Sequence, residues 1–235
     1  MNQKQSYHIN EFSKRATSYE KYNIIQKEVA KHLLSNIKTK PKNILDLGCG
    51  DGTVFKNISW KINNFVGIDK AKNMCKLHPN GQNITIINDD FENLSFLNKQ
   101  NSFNFDMAIS SSSLQWAQNL DQLFKIIKKH IPEISFSIFC SGTFQTIYNY
   151  TNLENFLPNY NALLSLLEKY FIFLHERKSY KLYFNDNISK FRYIKKSGVS
   201  GGKKKLNYIQ TKKLIETYPH DYLEFEVLFI WGRAK

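Results

Sequence analysis

The stretch Asn43–Ile58, NILDLGCGDGTVFKNI, decides the fold. A short apolar run, NILDL, leads into a turn with glycines at 48, 50 and 52, and VFKNI then resumes at helix-compatible spacing. Strand, glycine turn and helix open a βα unit of a parallel sheet, where ligands bind beyond the carboxyl ends of the strands and glycine lets backbone N–H groups approach them. A dinucleotide fingerprint, G-x-G-x-x-G, would put its third glycine where Thr53 stands, since Gly52 comes one residue early. Asp46, two residues before Gly48, would repel a phosphate and suits a cation.

The flanking sequence keeps the same rhythm. Ile25, Val29, Leu33 and Ile37 recur at helical spacing until Pro41 stops the pattern. NFVGID (64–69), NITIIN (83–88), FNFDMAIS (103–110) and EISFSIFC (133–140) read as strands, with a helix over 120–130. This alternation argues for a parallel sheet covered on both faces, a doubly wound α/β core. After Ser141, FQTIYNYTNLENFLPNYNALLSLLEKYF reads as two helices around Pro158, a cap over the ligand edge. HERKSYKLYF (175–184) reads as a strand, 187–196 as a helix, and YLEFEVLFIWGRAK as a last strand pairing with the preceding one as an antiparallel edge. The whole is expected to be one domain over 1–235: an N-terminal helical segment (1–41), a ligand-binding core (42–140), a helical cap (141–174) and the C-terminal part of the sheet (175–235).

Further acids fall at strand ends. Asp69 closes VGID, where a carboxylate can take both hydroxyls of a ribose. Asp90 in NDDF can accept from an adenine amino group, with Phe91 as an apolar wall for the ring. Taken singly, Asp46 could satisfy the turn, Asp69 could cap a helix and Asp90 could be a loop residue. Their joint spacing, one strand plus one helix apart, leaves little room for coincidence, and an acid beside the glycine turn suits a ligand that carries an ammonium or sulfonium and no phosphate.

With these motifs the sequence resembles the class I S-adenosylmethionine-dependent methyltransferases over about residues 42–140. The resemblance implies a Rossmann-like sheet and a cofactor site of Asp46, Gly48, Cys49, Gly50, Gly52, Asp69, Asp90, Phe91 and Ser110, with S-adenosyl-L-methionine as the cofactor. FSKRATSYEKYNIIQKEVAKHLL (12–34), SSSLQWAQNL (111–120), FSIFCSGTF (136–144), FRYIKKSGVSGG (191–202) and FEVLFIWGRAK further resemble the malonyl-acyl-carrier-protein O-methyltransferases of biotin synthesis, the BioC family. HIPEISF departs from the family in lacking a Pro-Gly-Gly turn before the fifth strand.

That resemblance implies esterification of a free malonyl carboxylate, a group ionised at neutral pH and needing no general base. Arg192 matches a basic family position and is the candidate carboxylate clamp, or else a surface arginine on a helix. Tyr19 matches a family tyrosine that closes over cofactor or substrate, or else packs its segment on the core. Gln115 and Trp116 follow the fourth strand, where the acceptor would sit, or else Trp116 serves the core.

Composition sets the remaining bounds. The 235 residues are 42% hydrophobic and 23% charged, enough for a sizeable core. No apolar run nears the roughly 20 residues of a membrane span, and the N-terminus lacks a signal-peptide core, which points to the cytoplasm. Cys49, Cys75 and Cys140 have no metal-ligand spacing and read as reduced thiols. The net charge of +13 fits an acidic partner, here a carrier protein bearing malonyl-phosphopantetheine, or compositional drift. An RNA methyltransferase would suit the charge, but no Asn/Asp-Pro-Pro-aromatic motif follows the fourth strand. Another small-molecule methyltransferase and a non-catalytic cofactor-binding scaffold remain as alternatives.

Overall fold

The computed structural model describes residues 22–98, 104–151, 153–197 and 206–235. Seven strands form one sheet: β1 (Asn43–Leu47), β2 (Asn64–Ile68), β3 (Ile84–Ile87), β4 (Met107–Ser111), β5 (Glu133–Phe139), β6 (Phe171–Tyr183) and β7 (Tyr222–Ala234). Their order is β3-β2-β1-β4-β5-β7-β6. The first five run parallel, and β7 runs antiparallel to both its neighbours. The helices are α1 (Ile24–Ser35), α2 (Thr53–Asn57), α3 (Lys72–Cys75), α4 (Leu120–His130), α5 (Gln145–Tyr150), α6 (Tyr160–Leu167), α7 (Asn187–Ser197) and α8 (Tyr208–Thr217). Among the described residues no helix is long and apolar enough to cross a membrane.

The central strands are buried on both faces, so their apolar residues come as nearly unbroken runs. On one face Leu45, Leu47, Val66, Ile68 and Phe136 pack with Leu123, Phe124 and Ile127 of α4 and Leu163 and Leu167 of α6. On the other, Ile44, Phe65, Ile109 and Phe229 pack with Ile25, Val29 and Leu33 of α1. Each face uses alternate residues of one strand, as a pleat requires. The doubly wound reading of the sequence holds on both faces.

Local chemistry explains the element ends. Asn119 caps α4 by accepting from the Gln122 N–H at 3.0 Å. Asp121 lies in the first turn of that helix and Lys128, Lys129 and His130 in the last, so the charges oppose the helix dipole. Ile131 then leaves in extended geometry and Pro132 leads straight into β5, a two-residue connection in place of a Pro-Gly-Gly turn.

The expected antiparallel pairing of the last strand with the one before it holds along the whole of β6. Within that edge pair β6 is outermost, and β7 lies between β5 and β6. Its buried run Glu226–Ile230 reflects that central place, whereas exposed and half-buried residues alternate along β6. Helix α8 carried no expectation from the sequence; a capping box starts it, the Asn207 side chain accepting from Gln210 N while Gln210 Oε1 accepts from Asn207 N. In segment 141–174, α6 joins the sheet core, while Phe144, Ile147 and Leu157 pack against the opposite face.

Gly232 of β7 faces Phe173 of β6 so closely that an added Cβ would sit 2.6 Å from the Ile172 carbonyl oxygen. Gly232→Ala is expected to destabilise the protein by about 1–3 kcal/mol. The check is a shift in the urea midpoint with an unchanged slope.

Candidate functional site

The turn after β1 has all three glycines in the left-handed region, with φ of 79° at Gly48, 54° at Gly50 and 83° at Gly52. Only glycine adopts such values without strain. The N–H groups of Gly48 and Cys49 both donate to the Ile68 carbonyl, at 2.8 and 3.1 Å, so the end of β2 anchors the turn. Asp69 completes the anchor. Its Oδ2 accepts from Gly50 N at 2.9 Å and its Oδ1 from Ala71 N at 2.7 Å.

The β4 side is clasped as well. Ser113 Oγ donates to the Gly48 carbonyl at 3.0 Å, and a Cβ on Gly48 would come within 2.3 Å of Ser113. Gly52 has another duty. It precedes α2, and a Cβ there would meet Pro79 at 2.6 Å. Asp51 starts that helix by accepting from the N–H and the hydroxyl of Thr53, at 3.2 and 2.7 Å.

These loops enclose a cavity of about 130 Å³. Its walls include Gly48, Cys49, Gly50, Asp69, Asp90 and Phe91 from the sequence expectation, and Trp116 of the expected acceptor pair. They also include Gln26, Lys70, Met74 and Ser111–Ser113, which the sequence reading had not singled out. Lys70 Nζ lies 2.7 Å from Asp90 Oδ2, and Glu92 N donates to Asp90 Oδ1 at 3.1 Å. A smaller cavity of about 20 Å³ adjoins through Trp116 and is lined by Gln115, Phe139, Thr143, Phe144, Leu157 and Phe225.

Several expected residues stand elsewhere. Asp46 is fully buried on β1 behind the cavity wall, on the pleat face of Ile44. Neither of its carboxyl oxygens has a hydrogen-bond partner among the described residues. Gly52 and Ser110 lie outside the lining; the Ser110 hydroxyl donates to the Leu47 carbonyl at 2.7 Å, a tie between β4 and β1. Arg192 is exposed on α7 and lines neither cavity, because that helix turns Lys190 and Tyr193 inward. Tyr19 lies outside the described residues.

Electrostatics follow from burial. Desolvation, and then the Asp69 charge, push the Asp46 carboxyl well above its ordinary value. Desolvation carries Asp69 up to about 6, with the two backbone N–H donors working against the rise. The Cys49 thiol is pushed up by burial and by both carboxylates, so it is a wall and not a nucleophile.

S-adenosylmethionine fits these residues. Its ribose hydroxyls, adenine amino group and ammonium are all donors, and the cavity offers acceptors. Asp69 keeps one free lone pair on each oxygen, and Gln26 Oε1 is buried without a partner. Gly50 leaves room over the turn, since a Cβ there would touch only Met74 Cε at 3.6 Å. Phe91 supplies an apolar wall.

Comparison with known proteins agrees with the geometry. Residues 44–133 match the family described as Methyltransferase domain. The chain is 31% identical over 147 residues to a malonyl-[acyl-carrier protein] O-methyltransferase of Bacillus cereus, covering 58% of this chain and 54% of that one. It is 26% identical over 204 residues to the protein of that name from Calditerrivibrio nitroreducens, covering 83% and 80%. The chain thus spans about half the length of most curated relatives it matches. Among solved structures, the YcgJ protein of Bacillus subtilis superposes with a TM-score of 0.65 at 10% identity, over 88% of this chain and 98% of that one. The plantazolicin methyltransferase BamL, solved with SAH, gives 0.51 at 13% identity over 98% and 96%.

Because Asp69 carries a folded-state value raised to about 6, its charged form is the disfavoured one, and its share of ligand-free stability falls as pH rises from about 4 through 6. Ribose hydroxyls donate to the charged form. Affinity for S-adenosylhomocysteine should therefore rise between about pH 5 and 7 and then level off, and Asp69→Asn should lower it and flatten the profile. Calorimetry across that range is the check.

A second expectation concerns the clasp. Gly48→Ala forces a left-handed alanine into Ser113 and should weaken S-adenosylhomocysteine binding by about tenfold or more, measured in the same way.

Proposed function

We propose that this chain, whose residues 44–133 match the Methyltransferase domain family, is a class I S-adenosylmethionine-dependent methyltransferase that esterifies the free carboxylate of a malonyl group held on an acyl carrier protein. The likeness to malonyl-[acyl-carrier protein] O-methyltransferases, which reaches 204 residues in one case, carries this reading. We place the reaction in the cytoplasm, at the start of the pimeloyl part of biotin synthesis.

The residues agree with that acceptor. When bound, S-adenosylmethionine supplies an electrophilic methyl group on a sulfonium. A carboxylate is already an anion at pH 7, so no side chain has to remove a proton. Neither cavity is lined by a histidine, tyrosine or arginine among the described residues. The protein's work is then positioning: Asp69, Asp90 and Phe91 hold the nucleoside end, and Trp116 stands where the two cavities meet. Trp116 is itself held by stacking on Phe156, with ring centroids 5.4 Å apart and planes 17° from parallel.

Arg192 enters this reading as part of a docking face. With Lys195 and Lys196 it makes the outer side of α7 basic, which suits an acidic carrier protein and accounts for some of the +13. The clamp for the malonyl carboxylate is not assigned to it.

Labelled S-adenosylmethionine offered with malonyl carrier protein, malonyl-CoA, acetyl carrier protein and RNA separates the readings. Label should reach both malonyl substrates and neither of the others. Transfer to malonyl carrier protein should fall with salt more steeply than transfer to malonyl-CoA, because steering between proteins acts over a screening length of about 10 Å at 0.1 M. Arg192→Ala should raise KM for the carrier protein alone. Label on RNA and on no malonyl thioester would overturn the proposal.

A further inference from the structure

The narrow cavity beyond Trp116 has one polar group that the fold leaves unsatisfied. Gln115 Nε2 donates to the Ser112 carbonyl at 2.6 Å, which fixes the side-chain amide and settles which end is oxygen. Gln115 Oε1 is then buried with no hydrogen-bond partner. Thr143, the other polar residue of the wall, is already occupied: its hydroxyl donates to the Glu226 carbonyl at 3.1 Å and accepts from Glu226 N at 3.0 Å.

Backbone strain marks the same place. Among the described residues only Ser112 and Phe144 are non-glycine residues with positive φ, at 60° and 55°. Ser112 lines the larger cavity and Phe144 the smaller, on either side of Trp116. Such conformations cost free energy and persist where a site requires them.

Resting on the reading above, we propose that Gln115 is a specificity residue for the acceptor arm: its Oε1 accepts from the amide N–H nearest the thioester, while the thioethyl stem lies between Phe144, Leu157 and Phe225. The lining supports the stem. The slot is narrow, about 20 Å³, and its walls at Phe139, Phe144, Leu157 and Phe225 are apolar, which suits methylenes. Chemistry supports the amide. Carboxylate and thioester carbonyl are acceptors only, so neither end of a malonyl group can satisfy Oε1, and a pantetheine arm presents its N–H two methylenes from the sulfur. Among the described residues no cation lines this slot, so it suits the apolar limb of the acceptor better than its carboxylate.

The test compares two small acceptors: the malonyl thioester of N-acetylcysteamine, and the 2-acetoxyethyl thioester, in which oxygen replaces the N–H. The protein should prefer the amide by about tenfold in kcat/KM, with the difference in KM. Gln115→Met should remove that preference while binding of S-adenosylhomocysteine by calorimetry stays unchanged. Equal use of the two thioesters by the parent, or a preference that survives in the variant, overturns the assignment and leaves the malonyl reading standing. If neither thioester is methylated by protein that binds S-adenosylhomocysteine, the malonyl reading falls and this assignment falls with it. The parent's own choice between the thioesters decides the matter even if the variant fails to fold.

Discussion

The site depends on one half-buried carboxylate. Asp69 holds Gly50 N on one oxygen and Ala71 N on the other, which ties the turn after β1 to the loop after β2. The two successive N–H groups on the Ile68 carbonyl draw the same loops together. Close approach is possible because Gly67 has no side chain: a Cβ there would lie 2.8 Å from Cys49 Sγ. The parallel register that pairs Asp46 with Gly67 and Leu47 with Ile68 thus fixes where the turn begins. The cavity floor and the start of α2 follow from it.

That arrangement puts acids inside a basic protein. Asp46 and Asp69 are both raised by burial, and each raises its neighbourhood further. Donors are welcome there and anions are not. An anion is disfavoured at the end of the cavity lined by Asp69 and Asp90, while the wall at Trp116 is uncharged. The net charge of +13 is a longer-range field, distinct from the local one inside the cavity.

Much of this was legible in the sequence. The short apolar runs in NILDL, NFVGID and EISFSIFC marked β1, β2 and β5, and the helix expected over 120–130 is α4. Asp69, Asp90 and Phe91 were legible because strand-end chemistry depends on position along the chain. The rest needed three dimensions. Gln26 reaches the cavity from a helix whose visible signal was the apolar stripe beside it, Ile25, Val29 and Leu33. The pairing of β7 with β6 was legible, but its pairing with β5 on the other side is a long-range contact that no local pattern encodes. Arg192 matched by sequence position, but the rotation of α7 about Lys190 and Tyr193 turned it to solvent.

The same geometry links the two cavities. Ser113 hydroxyl to Gly48 carbonyl, 3.0 Å, joins the loop after β4 to the glycine turn. The next residues, Leu114–Trp116, form a single 3₁₀ turn that carries Gln115 and Trp116. Leu114 is fully buried and locks that turn to the core. The wall at Trp116, shared by both cavities, is therefore set by the backbone of the glycine turn, with one short turn between them. A shift in either loop would move the walls of both cavities together, and the contact that prevents it is tight: Gly48 has no space for a side chain where Ser113 stands against it.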